Sequence, residues 1–166
     1  MSCSLRPVGH AHRARFEQLT RGTGLFREDE VATALELLDE SLAGDDDYRF
    51  VGAFEHDALV GYACWGPTPG TVATSDLYWI VVDRERQGSG IGSQLLREVE
   101  HLLTADGRRL VVVETSSRGE YAATRGFYEA RGYTRAATIP RYYAPGDDLV
   151  IYTKDLTPGD LARAAP

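Results

Sequence analysis

Cysteine is scarce: Cys3 and Cys64 are the two in 166 residues, and neither belongs to a CxxC or other metal-ligand spacing. The four histidines, His10, His12, His56 and His101, form no ligand cluster along the chain. No metal site is therefore expected. No apolar run approaches the roughly 18–20 residues that a membrane span needs. The opening MSCSLRPVGHAHR lacks the apolar centre of a secretory signal. No membrane partner and a cytoplasmic location are the expectation. Positive charge is also short. A net charge of −7 argues against a general nucleic-acid binder, which needs a basic surface, but leaves room for a local basic patch under an anionic cofactor. What is present is ordinary for a globular chain: 43% apolar and 26% charged residues, enough for one domain over residues 1–166 with a real core.

Periodicity divides the chain into elements. Leu5-Arg6-Pro7-Val8 reads as a short opening strand, and residues 12–20 as a helix with a thin apolar signal. From Arg27 to Leu42 the signal is clearer: Val31, Ala34, Leu35, Leu38 and Leu42 share one helical face. Its opposite face, with Glu28, Asp29, Glu36, Asp39 and Glu40, reads as solvated. YRFVGAF and LVGYACWG are rich in β-branched and aromatic residues, with a hairpin turn at Glu55-His56-Asp57. VATSDLYWIVV is a longer strand. A helix from Ile91 buries Ile91, Leu95, Val99, Leu102 and Leu103, and Ala105-Asp106-Gly107 stops it. RLVVVET is a continuous apolar strand, expected to be buried on both faces. YAATRGFYEARG is a short helix closed by Gly132. YTRAATI and LVIYTKDL are the last strands, with PRYYAPGDD between them read as irregular. The order β-α-α-β-β-β-α-β-α-β-β predicts an α+β (mixed α/β) sheet.

One stretch resists this simple reading. RQGSGIGSQLL places Gly88, Gly90 and Gly92 at alternate positions where a helix begins, although glycine is a poor helix former. A helix N-terminus offers unpaired N–H groups and a partial positive charge. Glycines let a bulky anion reach them, so a phosphate or diphosphate is the natural occupant. Arg84 and Arg86 would add charge nearby. A dinucleotide fingerprint would need its third glycine where Ser93 stands. A P-loop would need a lysine that is absent. The pattern (Gln/Arg)-x-x-Gly-x-(Gly/Ala) is met by Gln87, Gly90 and Gly92. A plain turn with capping glycines is the remaining alternative.

LYWIVVDRERQGSGIGSQLLREVE resembles the acyl-CoA-binding segment of the GNAT superfamily of N-acetyltransferases, and FYEARGY resembles a downstream helix-to-strand segment of the same family. The order of elements agrees from about Leu5 to Leu156. PRYYAPGDD is loosely similar to the segment before the last strand in ribosomal-protein N-terminal alanine acetyltransferases. TSSRGEY departs from those enzymes, which usually have a shorter connection with an asparagine.

The resemblance implies a GNAT-type fold: a central, mostly antiparallel sheet with a splayed parallel pair and about four flanking helices. It implies that N–H groups of Gln87, Gly88, Ser89, Gly90, Ile91 and Gly92, with Ser93 beyond, hold the diphosphate of acetyl-CoA. Backbone groups of Ile80, Val81 and Val82 would meet the pantetheine arm and the thioester carbonyl. Tyr128 would be the general acid at the sulfur. Asp76, on one strand face with Tyr78, Ile80 and Val82, or Glu114 at a strand end would be the base; an amine delivered neutral would need none. Tyr78, Tyr142 and Tyr143 would contact the acceptor, with Asp147 and Asp148 attracting a cationic amine. The implied activity is acetyl transfer from acetyl-CoA, as co-substrate, to a primary amine of a small molecule or peptide. The attack would be direct, within a ternary complex, and a homodimer is compatible with the family. The rival class is a catalytically silent CoA-binding sensor or interaction module.

Overall fold

A computed structural model of the protein describes residues 3–157. Among these residues the elements are β1 (Ser4–Arg6), α1 (Arg13–Gly22), α2 (Glu28–Leu42), β2 (Arg49–Glu55), β3 (Ala58–Pro67), β4 (Thr74–Val82), α3 (Ile91–Ala105), β5 (Leu110–Ser116), α4 (Ala122–Glu129), β6 (Thr134–Ala144) and β7 (Asp147–Asp155). This is the expected order. The strands form a mixed sheet in the order β1-β2-β3-β4-β5-β7-β6. The β1–β2, β2–β3, β5–β7 and β6–β7 pairs are antiparallel, and β4–β5 is parallel. The parallel ladder joins Thr74, Ser75 and Asp76 to Leu110, Val111 and Val112, a short stretch of both strands. By contacts the chain forms two compact units, residues 3–67 with 78–103 and residues 68–77 with 104–157.

In the first unit α1 and α2 cover an aromatic core. Phe16, Leu19, Ala34, Leu38, Phe54, Leu59, Tyr62 and Val81 are buried together, and Phe26, Leu35, Leu42, Phe50 and Trp79 pack around them. The i, i+3, i+7 spacing of Val31, Ala34 and Leu38 explains why α2 buries that face. Phe16 stacks on Tyr62 at 4.0 Å between ring centroids. The Tyr62 hydroxyl lies 2.7 Å from Thr20 Oγ1 and accepts from Trp79 Nε1 at 3.2 Å, so the buried oxygen is satisfied. The acids on the outer face of α2 are partly paired: Arg13 forks onto Asp39, and Arg21 bonds Glu28. Helix α3 buries Ile91, Leu95, Leu96, Val99 and Leu103; Leu102 is half-buried.

Gly61 sets the spacing beneath α3. A Cβ there would lie 2.8 Å from the Val81 carbonyl oxygen, 3.3 Å from Ile91 Cγ2 and 3.4 Å from Leu95 Cδ1. Bare backbone on β3 thus lets both β4 and the start of α3 approach closely.

The second unit corrects two expectations. Strand β5 is not buried on both faces. Val111, Val113 and Thr115 are buried, whereas Val112 is half-buried and Glu114 exposed. An apolar run alone does not report what covers its second face. The PRYYA segment is also not an irregular link: it belongs to the eleven-residue β6, and only Pro145-Gly146 makes the turn. The ladder breaks there. Ile139 pairs with Leu149 and Ala144 with Asp147, so β6 carries extra residues in a bulge. Arg141 adopts φ 58° in that bulge, and its N–H donates to Asp148 Oδ1 at 2.8 Å.

Candidate functional site

The first group of candidate residues lies in the first unit, where β4 gives way to α3. Past Val82, Asp83 N–H donates to the Val60 carbonyl at 2.8 Å. A single 3-10 turn, Arg84–Arg86, follows. Gly88 and Gly90 then take φ values of 77° and 87°, the left-handed region where a Cβ is strained. At neither position would a Cβ meet an atom within 4 Å, so conformation rather than packing asks for glycine. The result is exposed backbone. Gln94 N–H donates to Gly90 O at 3.1 Å. The N–H groups of Ile91 and Gly92 precede that bond and have no acceptor one turn back in the helix. Ser89 is different: its N–H and its hydroxyl both donate to the Arg86 carbonyl. Arg86 is not a free cation either, because its Nε donates to Glu55 at 2.9 Å. Arg84 is exposed.

The face shared by Asp76, Tyr78, Ile80 and Val82 on β4 is half-buried, while Ser75, Leu77 and Val81 are buried on the other, so the expected alternation is present. Val81 therefore offers backbone only. Tyr78 lies against Tyr48, 5.2 Å between ring centroids.

The second group lies in the second unit. Asp76 Oδ2 accepts from Thr68 Oγ1 at 2.8 Å. Asp76 is in register with Val112, and Glu114 is two residues further along β5 on the same face. The Glu114 carboxyl is pushed above its ordinary pKa, first by partial burial and then by the Asp76 carboxylate. Its surface is nonetheless open enough for exchange with solvent. The Tyr143 hydroxyl is pushed up to about 12 by desolvation, then by Glu114, Tyr142, Asp147 and Tyr121. Tyr142 and Tyr143 meet edge to face at 5.0 Å on the β6 bulge, and both are exposed. Tyr128 is buried on α4 against Phe127 and Tyr133, and burial pushes its hydroxyl well above the ordinary tyrosine range.

The two acids expected to attract a cation are committed within the structure. Asp147 accepts from Ser116 Oγ and pairs with Arg118 at 3.3 Å. Asp148 holds Arg141 N–H, and its own N–H donates to Ser117 Oγ at 2.8 Å. The structure also shows participants that the sequence did not suggest. Thr68 orients Asp76, Tyr121 adds to the field at Tyr143, and Arg15 of α1 pairs with Asp83. Nothing in local spacing marks them. Among the described residues, no three His, Cys, Asp or Glu side chains gather where they could hold a metal ion, and no helix is long and apolar enough to cross a membrane.

A glycine-opened helix thus follows β4 on a sheet of the order β1-β2-β3-β4-β5-β7-β6. The family model for an acetyltransferase (GNAT) domain matches residues 46–135. The chain belongs to the GNAT acetyltransferase family. A GNAT-family protein from Desulfovibrio desulfuricans superposes with a TM-score of 0.88 at 41% identity, covering 93% of this chain and 99% of that one. The ribosomal-protein-S18-alanine N-acetyltransferase of Escherichia coli shares the fold at 16% identity and TM-score 0.77, over 93% of this chain and 94% of that one. So does yncA from Salmonella typhimurium, solved with acetyl-CoA, at 20% identity and TM-score 0.75, over 94% and 95%. Among curated proteins, S-(2-succino)cysteine N-acetyltransferase of Bacillus subtilis (strain 168) is 28% identical over 72 residues. That match spans 43% of this chain and 44% of the relative, so it reaches less than half the length of either.

Proposed function

We propose that residues 1–166 act as a single acetyl-CoA-dependent N-acetyltransferase domain that acetylates a primary amine by direct attack. The observation that carries this reading is the left-handed backbone at Gly88 and Gly90, which opens α3 without side chains over its first N–H groups. N–H groups of Gln87, Gly88, Gly90, Ile91 and Gly92 would hold the diphosphate, with Ser93 beyond. Ser89 contributes backbone shape, since its N–H is already engaged. Backbone groups at Ile80, Val81 and Val82 would orient the pantetheine arm and donate to the thioester oxygen, where charge develops during attack. Acetyl-CoA supplies the activated acyl group.

Of the two candidate bases, Glu114 is the one this reading favours. A general base works best with a pKa near the working pH, and burial and the Asp76 charge move Glu114 upward in that direction. Asp76, held by Thr68, maintains that field. Tyr128 would give its proton to the departing sulfur; burial keeps the hydroxyl protonated in the resting state, and by making it a weaker acid it also lowers the drive for that transfer. Tyr78, Tyr142 and Tyr143 would shape the acceptor site. A covalent cysteine step has little support. Cys64 is fully buried, with its thiol pushed far above the ordinary range, and the Cys3 thiol is raised by burial and by Glu55.

The test is thiol release from acetyl-CoA with a panel of monoamines, diamines, amino acids and peptide N-termini. Amine-dependent release that tracks N-acetylated product supports the proposal. Tight CoA binding with no release for any amine would favour a silent CoA-binding module.

A further inference from the structure

The turn leading into the glycines is anchored from outside the loop. Arg15 Nε donates to the Leu59 carbonyl at 3.1 Å, and its Nη2 donates to Asp83 Oδ2. Asp83 organises the turn. Its N–H bonds Val60 O, its carbonyl accepts Arg86 N–H at 2.8 Å, and its Oδ1 accepts Glu85 N–H at 3.1 Å. Only 20% of the Asp83 side chain and 40% of Arg15 are exposed, so the pair is partly shielded from water and salt. On the next residues of the turn, Arg86 is tied to Glu55 of β2. All these groups lie in the first unit.

Glycine-rich backbone carries an entropic cost when a ligand orders it, and ordering it beforehand improves affinity. Two of the cations near this loop, Arg15 and Arg86, are spent on protein partners. Their contribution would therefore come through shape.

We infer that Arg15, acting through Asp83, is a positioning residue that presets the glycine turn for a diphosphate. This rests on the reading of that turn as the diphosphate cradle. Truncated cofactors separate the role from a general structural one. CoA and 3′-dephospho-CoA both carry the diphosphate, and pantetheine lacks it.

The experiment is calorimetric titration of the full chain with these three molecules. It uses the wild type, Arg15→Ala, Arg15→Lys, Asp83→Asn, the Arg15→Ala/Asp83→Asn double variant and Gly90→Asp. Arg15→Ala should weaken CoA and 3′-dephospho-CoA by the same factor, about tenfold, the scale of one or two side chains' worth of ordering. Pantetheine affinity should stay within about twofold on the same reasoning, since its proposed contacts at Ile80, Val81 and Val82 lie on β4, before the turn. Arg15→Lys should recover part of the loss. The double variant should be no weaker than Arg15→Ala, because both changes cut one connection. CoA affinity unchanged in Arg15→Ala, or pantetheine falling by the same factor as CoA, would overturn the inference. If Gly90→Asp abolishes CoA binding while Arg15→Ala does not alter it, only the positioning role fails. If Gly90→Asp also binds CoA normally, the cradle itself is wrong, and the inference falls with it.

Discussion

Gly61→Ala perturbs the approach of three elements with one methyl group. The new Cβ would lie 2.8 Å from the Val81 carbonyl oxygen, closer than side-chain carbon tolerates, and 3.3 Å and 3.4 Å from Ile91 Cγ2 and Leu95 Cδ1. The nearest of these atoms is backbone in the middle of the sheet, so no flexible chain end can move aside. Overpacking of this kind costs about 1–3 kcal/mol. For a chain of this size each kcal/mol shifts the melting temperature by about 2–4 °C, so a fall of about 2–12 °C is expected. The strain falls on the backbone of Val81 and on the first residue of α3, both in the proposed cofactor contacts. CoA affinity should therefore drop as well. Gly22→Ala is the matched control: it adds the same methyl at the end of α1, where a Cβ meets nothing within 4 Å. Differential scanning calorimetry and CoA titration of both variants make the comparison. If Gly61→Ala melts with the wild type and binds CoA equally well, the close approach of β4 and α3 over bare backbone is not what fixes the loop.

Tyr128→Phe keeps the ring packed against Phe127 and Tyr133 but removes the proton; kcat should fall by about 10²–10³-fold, the range for a lost general acid, with CoA affinity near normal by calorimetry. A base must be ionised to act, so activity should fall as pH drops through the raised Glu114 pKa. Asp76→Asn removes one cause of that rise and should move the acid limb of the kcat/KM profile to lower pH, whereas Glu114→Gln should remove the limb. The stability sign runs the other way. A carboxyl raised in the folded state favours folding while protonated and loses that contribution as pH rises through its pKa, so Glu114→Gln should melt higher than wild type at pH 8 but not at pH 4. Ser75 Oγ is fully buried without a hydrogen-bond partner among the described residues; Ser75→Ala should raise stability by about 1 kcal/mol, the order of the desolvation cost removed, as read by denaturant titration.

Periodic segments disclosed most of the fold. The apolar stripes of α2 and α3 and the β-rich runs of β2 and β3 gave the element order because each buries one continuous face. Segments that obey long-range constraints were harder to read. Pro140 and the Pro145-Gly146 pair made PRYYA look like a loop, since proline usually interrupts a strand. It survives in β6 because that strand is an edge and bulges there. Glu114 sits in a run of valines, and only the strand register shows that its face is open and shared with Asp76. The glycine turn was legible because glycine spacing at a helix start is a local signal. Its anchor was not: Arg15 reaches Asp83 across 68 positions, and Thr68 reaches Asp76 through a side-chain contact that spacing does not encode.

A crystal structure with acetyl-CoA bound tests the central claim most directly. The diphosphate should accept hydrogen bonds from backbone N–H groups of Gln87, Gly88, Gly90, Ile91 and Gly92, with no side chain between them. A fully occupied cofactor whose diphosphate lies away from that turn would contradict the account.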